Sequence, residues 1–301
     1  MATEQILQQL VNAISLGAIY ALFALGYALV LSVLGVLNLA HSAVFSWGAI
    51  LGLLLVKEIG VPLWLAFPLA TVGAGLLGVV LERVAFYPLR RRNAPRLSQL
   101  ISSIGAAILL VNIGQLVMTQ VFGNTLDYFP TDLVSNEPIA GLAVRITPLR
   151  VLIVGIALTL MVALNYLVAR TKIGRAVRTV AFNERIAALL GVDTERIFLL
   201  TFFLAGVLGG AAGMLYGLIF INVEPFMGDR VSLVGLVAIV LGGLGSINGA
   251  VLGGFIVAAI QTFSVAVGGG SYRNTVIFIL LFIVLVVRPE GLMGTKRQDR
   301  A

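Results

Sequence analysis

The sequence has no cysteine and one histidine, His41. Disulfides, thiolate metal sites and cysteine nucleophiles are therefore excluded. A lone histidine with no suitably spaced carboxylate offers no metal site either. Charge is scarce: Asp, Glu, Lys and Arg make up 11% of the 301 residues, against about 25% in a soluble domain. With 59% hydrophobic residues and a mean hydropathy of +1.07, the chain belongs in a bilayer. No Gly-x-x-x-x-Gly-Lys-Ser/Thr loop occurs, so ATP that drives this protein must be bound by another chain. No Ser/His/Asp set points to hydrolysis, and no catalytic residue is assigned; a membrane-embedded enzyme using His41 is the weakest of the readings. The first nine residues hold Glu4 and no Lys or Arg. A cleaved leader wants a basic start, so the first apolar run is expected to stay as a membrane helix.

What is present is a series of apolar runs long enough to cross hydrocarbon, which takes about 20 residues each. They read as helices near 10–34, 39–56, 62–82, 98–122, 149–169, 197–220, 231–245, 248–267 and 274–287. The expected fold is an all-α polytopic bundle of about eight or nine transmembrane helices, forming a single transmembrane domain over 1–301. The net charge of +7 does not imply nucleic acid, because the basic residues cluster beside the apolar runs. Arg83, Arg90, Arg91, Arg92 and Arg96 form one group. Arg170, Lys172, Arg175, Arg178, Arg185 and Arg196 form a second, and Arg288, Lys296, Arg297 and Arg300 a third. These groups hold 15 of the 20 Lys and Arg, which places all three in the cytoplasm. Nine crossings then put the N-terminus outside and the C-terminus inside. The connection from Gly123 to Thr147, with Asp127, Asp132, Glu137, Tyr128, Phe129, Pro130 and Pro138, falls outside. It is read either as a docking surface for an extracytoplasmic partner or as a solvated connection.

Between the fifth and sixth runs lies Ile173 to Val192, inside a cytoplasmic loop at about 170–196. Asn183 can cap a short helix over Glu184–Leu190, and Gly191 can end it in a left-handed turn. Ile186, Ala187, Leu189 and Leu190 are more apolar than a solvated loop requires. Two readings stand: a coupling loop that docks on a soluble partner, or an amphipathic helix lying on lipid.

The polar cluster Asn38, His41 and Ser42 interrupts the first third. Polar or irregular backbone at membrane depth is tolerated where it is buried or lines a wet path, as in the broken helices of transporters. The other reading is a turn at the cytoplasmic interface in which His41 caps or bridges helices. Two glycine ladders, Gly209/Gly213/Gly217 and Gly245/Gly249/Gly253, each place small residues on one helix face for close packing. A phosphate-cradling role for Gly242–Gly245 is disfavoured, since no soluble strand precedes it and no acid lies at the expected distance.

Gly17-Ala18-Ile19-Tyr20-Ala21-Leu22, Ala24-Leu25-Gly26-Tyr27 and Asn38-Leu39-Ala40-His41 resemble the start of the permease subunits of branched-chain amino acid ABC importers. Gly174-Arg175-Ala176 through Gly191-Val192 resembles that family's ATPase-contacting loop. Val240 to Ile247, with Gly249-Ala250 and Leu252-Gly253-Gly254, is similar to its late glycine motif, and Arg288 to Gly294 to its closing motif. Departures fall at Ser42, where members often have Gly, at Asp229-Arg230-Val231-Ser232 in place of Lys-Ala-Phe, and at Gln261 in place of Glu. They lie near the expected path and so bear on the solute more than on the fold.

The resemblance implies a multi-pass subunit of the cytoplasmic (inner) membrane importing branched-chain or other neutral amino acids. Its implied partners are a second homologous permease, two cytoplasmic ATPase subunits that bind the ATP, and an extracytoplasmic solute-binding protein. Gly174, Arg175, Arg178, Asn183, Glu184, Ile186, Leu189, Leu190 and Gly191 would then couple to the ATPase, while Asn38, His41 and Ser42 would line the path. Urea and short-chain amide importers share this permease type, and sugar importers are more distant relatives. A stand-alone secondary transporter or channel is the reading from another class. It needs intramembrane carboxylates or a cation site, of which the spans offer almost none.

Overall fold

In hydrocarbon every backbone N–H and C=O must be satisfied within the protein, so apolar runs close into helices. The computed structural model describes residues 3–131, 133–135, 137–139, 144–267, 272–288 and 290–294; Asp132, Pro289, Lys296, Arg297 and Arg300 lie outside them. In chain order the helices are α1 (Thr3–Leu34), α2 (His41–Lys57), α3 (Leu63–Leu81), α4 (Tyr87–Arg91), α5 (Arg96–Phe122), α6 (Pro148–Arg170), α7 (Lys172–Phe182), α8 (Glu184–Leu189), α9 (Thr194–Phe220), α10 (Met227–Gly242), α11 (Ile247–Ala266) and α12 (Arg273–Val287). Two-residue strands β1 (Asp127–Tyr128) and β2 (Asn222–Val223) pair antiparallel.

Boundaries follow local chemistry. Gly35, at φ +67°, closes α1, and Pro62 and Pro95 precede α3 and α5. The side chains of Thr147, Thr171, Asn183, Asp193 and Ser246 each accept a first-turn N–H of the helix that follows, which satisfies a donor that has no partner in the helix itself.

Among the described residues, six helical segments are long and apolar enough to cross a membrane, and two shorter apolar helices, 41–57 and 275–287, accompany them. α10 spans 16 residues and begins beside Asp229 and Arg230. The helical membrane bundle is therefore as expected, while three of the nine expected spans, those of α2, α10 and α12, fall among the shorter helices. The reason is position. α1 and α9 form the centre, with 89% and 72% of their most apolar stretches buried, whereas α5 and α6 bury only 17% and 28% and form the rim. α2 packs between α9, α3, α10 and α5, so neither it nor the half-length α10 need span lipid unaided.

Three stretches differ from expectation. α3 does not stop at residue 82 but runs on through a π-helical turn, Glu82–Phe86, into α4. The loop after α6 holds an additional amphipathic helix, α7, that buries Gly174, Val177 and Val180 against the bundle. The expected glycine face on α11 loses its first member: Gly245 lies in the turn before that helix, at φ +84° with nothing within 4 Å of an added Cβ. It reverses the chain rather than packing it.

Glycines elsewhere bring helices into backbone contact. Cβ atoms added at Gly213 and Gly253 would overlap the carbonyl oxygens of Phe45 and Ala238. At Gly209 one would sit 2.7 Å from the His41 ring, and at Gly217 2.9 Å from Phe129. Gly249 lies against Gly242. A second glycine face on α9, Gly206 and Gly210, meets Ala74 and Gly75 of α3, so α9 is held from two sides. The closing segment folds back on the glycine motif, with Leu292 and Met293 N–H donating to the carbonyls of Leu241 and Gly242 at 2.8 and 2.9 Å.

Candidate functional site

The polar cluster after α1 is a turn buried in the bundle. Asn38 Oδ1 accepts the Ala40 N–H at 3.2 Å, and Ser103 of α5 accepts the Leu39 N–H at 3.2 Å. His41, only 1% exposed, packs its ring against both Phe23 and Tyr27 (centroids 4.8 and 5.6 Å), which also touch each other, and its Nε2 is 3.4 Å from the Phe23 carbonyl. A solute reaches His41 only if α1, α2 and α9 separate. Ser42 is placed differently. Its hydroxyl is within reach of the Leu39 carbonyl (3.0 Å) and of Asp229 Oδ1 (3.2 Å) on α10, and it borders a cavity of about 260 Å³ shared with Asn112, Asp229 and Ser232.

Helix rise gives the depth of this cluster. His41 faces Gly26 of α1 and Gly209 of α9. Those contacts lie about 12 Å from the end of α1, where Gly35 faces Arg96, and about 22 Å from the start of α9, at 1.5 Å per residue. In a hydrocarbon layer about 30 Å thick, that brackets the midplane. α10 begins at the same level, because the Gly228 N–H donates to Ser46 Oγ at 3.0 Å. After α9 ends at Phe220 the chain turns at Ile221 (φ +64°), pairs β2 with β1 and returns inward to Met227. Two helices thus start near mid-depth, side by side. The sequence marked both breaks, the second between the runs near 197–220 and 231–245, but gave no depth for the second, because Asn222, Glu224, Pro225, Asp229 and Arg230 read as an ordinary polar connection.

α10 exposes Phe226, Asp229, Arg230 and Leu233, spaced i, i+3, i+4 and i+7 and so on one face. Arg230 pairs with Glu224 at 2.9 Å. Beside the pair is a second cavity, about 210 Å³, lined among others by Tyr20, Tyr216, Asn222, Met227 and Val231. Tyr20 donates its hydroxyl to Gln261 Oε1 at 2.8 Å.

At the arginine-rich end, α7 and α8 form an arm. An added Cβ at Gly174 would overlap the Leu167 and Val168 carbonyls, and Arg178 donates to the Val168 carbonyl, so α7 sits tight on the last turn of α6. Asn183 Oδ1 caps α8 through the Ile186 N–H at 3.1 Å, and Gly191 follows at φ +80°. Ala187 is buried, but Leu189 and Leu190 are 88% and 70% exposed and Phe182 is 78% exposed. Arg175, Glu184 and Ile186 are exposed around them. Close by, Glu82 is fully buried and bonds Arg90 Nη2 at 2.7 Å, while the Arg90 guanidinium lies 3.7 Å from the Phe198 ring centroid. Nothing in the sequence marked this pair, since an eight-residue spacing aligns only through the π-helical turn.

Residues 9–285 match the family model described as branched-chain amino acid transport system / permease component. The chain belongs to this family. Over 302 residues it is 35% identical to the high-affinity branched-chain amino acid transport system permease protein BraD of Pseudomonas aeruginosa, covering 98% of this chain and 97% of the relative. Over 306 residues it is 33% identical to the corresponding permease protein LivH of Escherichia coli K12, with the same coverage. Among solved structures, PsaBC from Streptococcus pneumoniae in complex with Fab superposes with a TM-score of 0.51 at 12% identity, over 96% of this chain and 94% of that one; that likeness concerns the fold alone. As members of a permease family, these chains transport rather than catalyse, and the apolar spans make this one a multi-pass membrane protein.

Proposed function

We propose that this chain is a permease subunit of an ATP-driven importer in the cytoplasmic (inner) membrane, carrying branched-chain or other neutral amino acids. Its arginine-rich end faces the cytoplasm, as the bias of basic residues requires. A second homologous permease lies alongside, two ATPase subunits dock at the arginine-rich end and bind the ATP, and a solute-binding protein delivers from the other side. The observation that carries this reading is the arm: Phe182, Leu189 and Leu190 are held out on capped helices, largely exposed among the described residues. Covering each leucine gives roughly 1.5–3 kcal/mol, enough for a docking contact.

The arm is also connected to the core. α7 rests on α6, α1 and α9, and α8 leads through the Asp193 cap into α9. At Gly210 and Gly213 α9 is in backbone contact with α2, and at Gly209 it packs on the His41 ring; the first turn of α2 carries Ser42. Force applied at α8 therefore reaches the cavities beside α10 through rigid helices rather than flexible loops. In this scheme Asn38 and His41 hold the turn that lets α2 begin inside the membrane, and Ser42 and α10 face the path.

The test is Leu189→Asp together with Leu190→Asp in the assembled importer. Both side chains are exposed, so folding should change by no more than about 0.5 kcal/mol. ATPase co-purification and ATP-driven uptake should each fall about tenfold or more, as expected when apolar anchors of an interface become charged. Unchanged co-purification and uptake would return the arm to a helix lying on lipid.

A further inference from the structure

The Glu224–Arg230 pair and its cavity carry an inference that rests on the importer reading and goes further, to the chemistry of the solute. Arg230 is the fourth residue of α10. The cavity walls at Tyr20 and Tyr216 lie about 21 Å and about 33 Å from the helix ends that put His41 at about 12 Å and about 22 Å. The pair therefore stands roughly 10 Å outward of His41, in the outer half of the membrane. Its side chain is 70% exposed and that of Glu224 23%. A guanidinium at this depth does not face hydrocarbon; it faces protein or a water-filled path. Glu224 engages Nη2 of Arg230, and a guanidinium has five N–H donors in a planar fork that suits a second carboxylate. A carboxylate such as Glu224 accepts at up to about four lone-pair positions, so it too has capacity left for an ammonium. The two charges stand 2.9 Å apart, so an α-amino acid, whose ammonium and carboxylate sit on one carbon, can present both to them at once. Tyr216, Phe220, Met227 and Val231 line the same cavity and supply apolar surface for a side chain. At about 210 Å³ it is smaller than a drug-sized pocket of about 300–1,000 Å³ and suits a small metabolite.

We infer that Arg230 and Glu224 hold the carboxylate and the ammonium of a zwitterionic amino acid on its way through the membrane. An uncharged amide or urea answers neither charge. Asp229, whose Oδ1 accepts from Ser42, faces the neighbouring cavity and adds negative potential on that side of α10 without belonging to this pair.

The experiment uses the complete importer in proteoliposomes, with leucine as the probe. Arg230→Gln should lower ATP-driven leucine uptake about tenfold or more, the scale of a lost charge-assisted bidentate contact, while assembly and binding-protein-stimulated ATP hydrolysis stay within about twofold of wild type. The exchange E224R/R230E keeps an ion pair but reverses its polarity against the cavity. Continued loss of uptake supports a solute contact; restored uptake reduces the pair to a structural tie and overturns the inference. Because the chain has no cysteine, Asn222→Cys at the cavity wall supplies a single reporter that decides the matter even if Arg230→Gln does not assemble. A water-soluble cationic thiol reagent should label it, as read by mass on this chain, and leucine-loaded binding protein should slow the labelling. No labelling, or labelling indifferent to leucine, overturns the inference. Wild-type vesicles that import urea or acetamide but not leucine overturn the zwitterion and the amino-acid part of the importer reading, and leave ATP-driven import standing. Leucine uptake that needs no ATP removes that reading on its own account.

Discussion

Gly213→Leu should abolish recovery of folded protein from the membrane. A Cβ at this position overlaps the Phe45 carbonyl oxygen, a backbone atom of α2. α2 cannot retreat, because α3, α5 and α10 pack on its other sides, and its first two turns are tied to α10 through Ser42 and Ser46. Overpacking a core costs about 1–3 kcal/mol when side chains can adjust; a clash with backbone on both helices costs more, a large share of a stability of about 5–15 kcal/mol. The measurement is the fraction of extracted protein that elutes as a single species. Gly105→Leu and Gly155→Leu are the controls, since a Cβ at either meets nothing within 4 Å and each removes a residue that costs a helix about 1 kcal/mol relative to alanine. Wild-type elution of Gly213→Leu would show that α2 and α9 are not in the contact described.

The second large effect concerns Glu82. Its carboxylate is buried and bonded to Arg90, a side chain itself only 15% exposed that also lies over the Phe198 ring. Glu82→Ala leaves that guanidinium buried without its counter-charge, and removing one partner of a buried pair costs about 3–5 kcal/mol. The thermal half-life of the detergent-solubilised protein should shorten accordingly. Replacing both members by apolar residues of similar volume, E82L/R90M, should recover most of the loss, because neither charge is then stranded. A half-life unchanged by Glu82→Ala would place the carboxylate in water and remove the pair from the account of why α3 continues past Leu81. The π-helical turn has a clear consequence for position: it rotates Arg90 back under Glu82 and leaves Arg83 to reach Glu195 at the start of α9, at 3.9 Å. The arginine-rich ends of α3 and α9 are thereby linked beside the docking arm.

These two expectations mark where sequence and structure part company. Class, the apolar runs and the arginine clusters follow from the sequence alone, because the cost of placing charge or unpaired backbone in hydrocarbon is local and large. So does the Asn183–Gly191 helix, since a cap and a left-handed terminator act within one turn of the chain. The late glycine ladder shows the limit of such reading. Gly249 and Gly253 pack and Gly245 turns the chain, because spacing by four is compatible with a helix and does not establish that one is present.

Tertiary structure alone decided depth and partnership. Asn38, His41 and Ser42 have similar polarity, yet His41 is enclosed by aromatic rings while Ser42 meets a carboxylate 187 residues away beside a cavity. Glu224 and Arg230 fall between two apolar runs in the sequence, and only the return of the chain after α9 brings them together beside a cavity within the bundle. Local composition determines which environment each segment tolerates. Which segments share that environment depends on the glycine faces of α9, close-packed against two helices at once, and that contact exists only after the chain has folded.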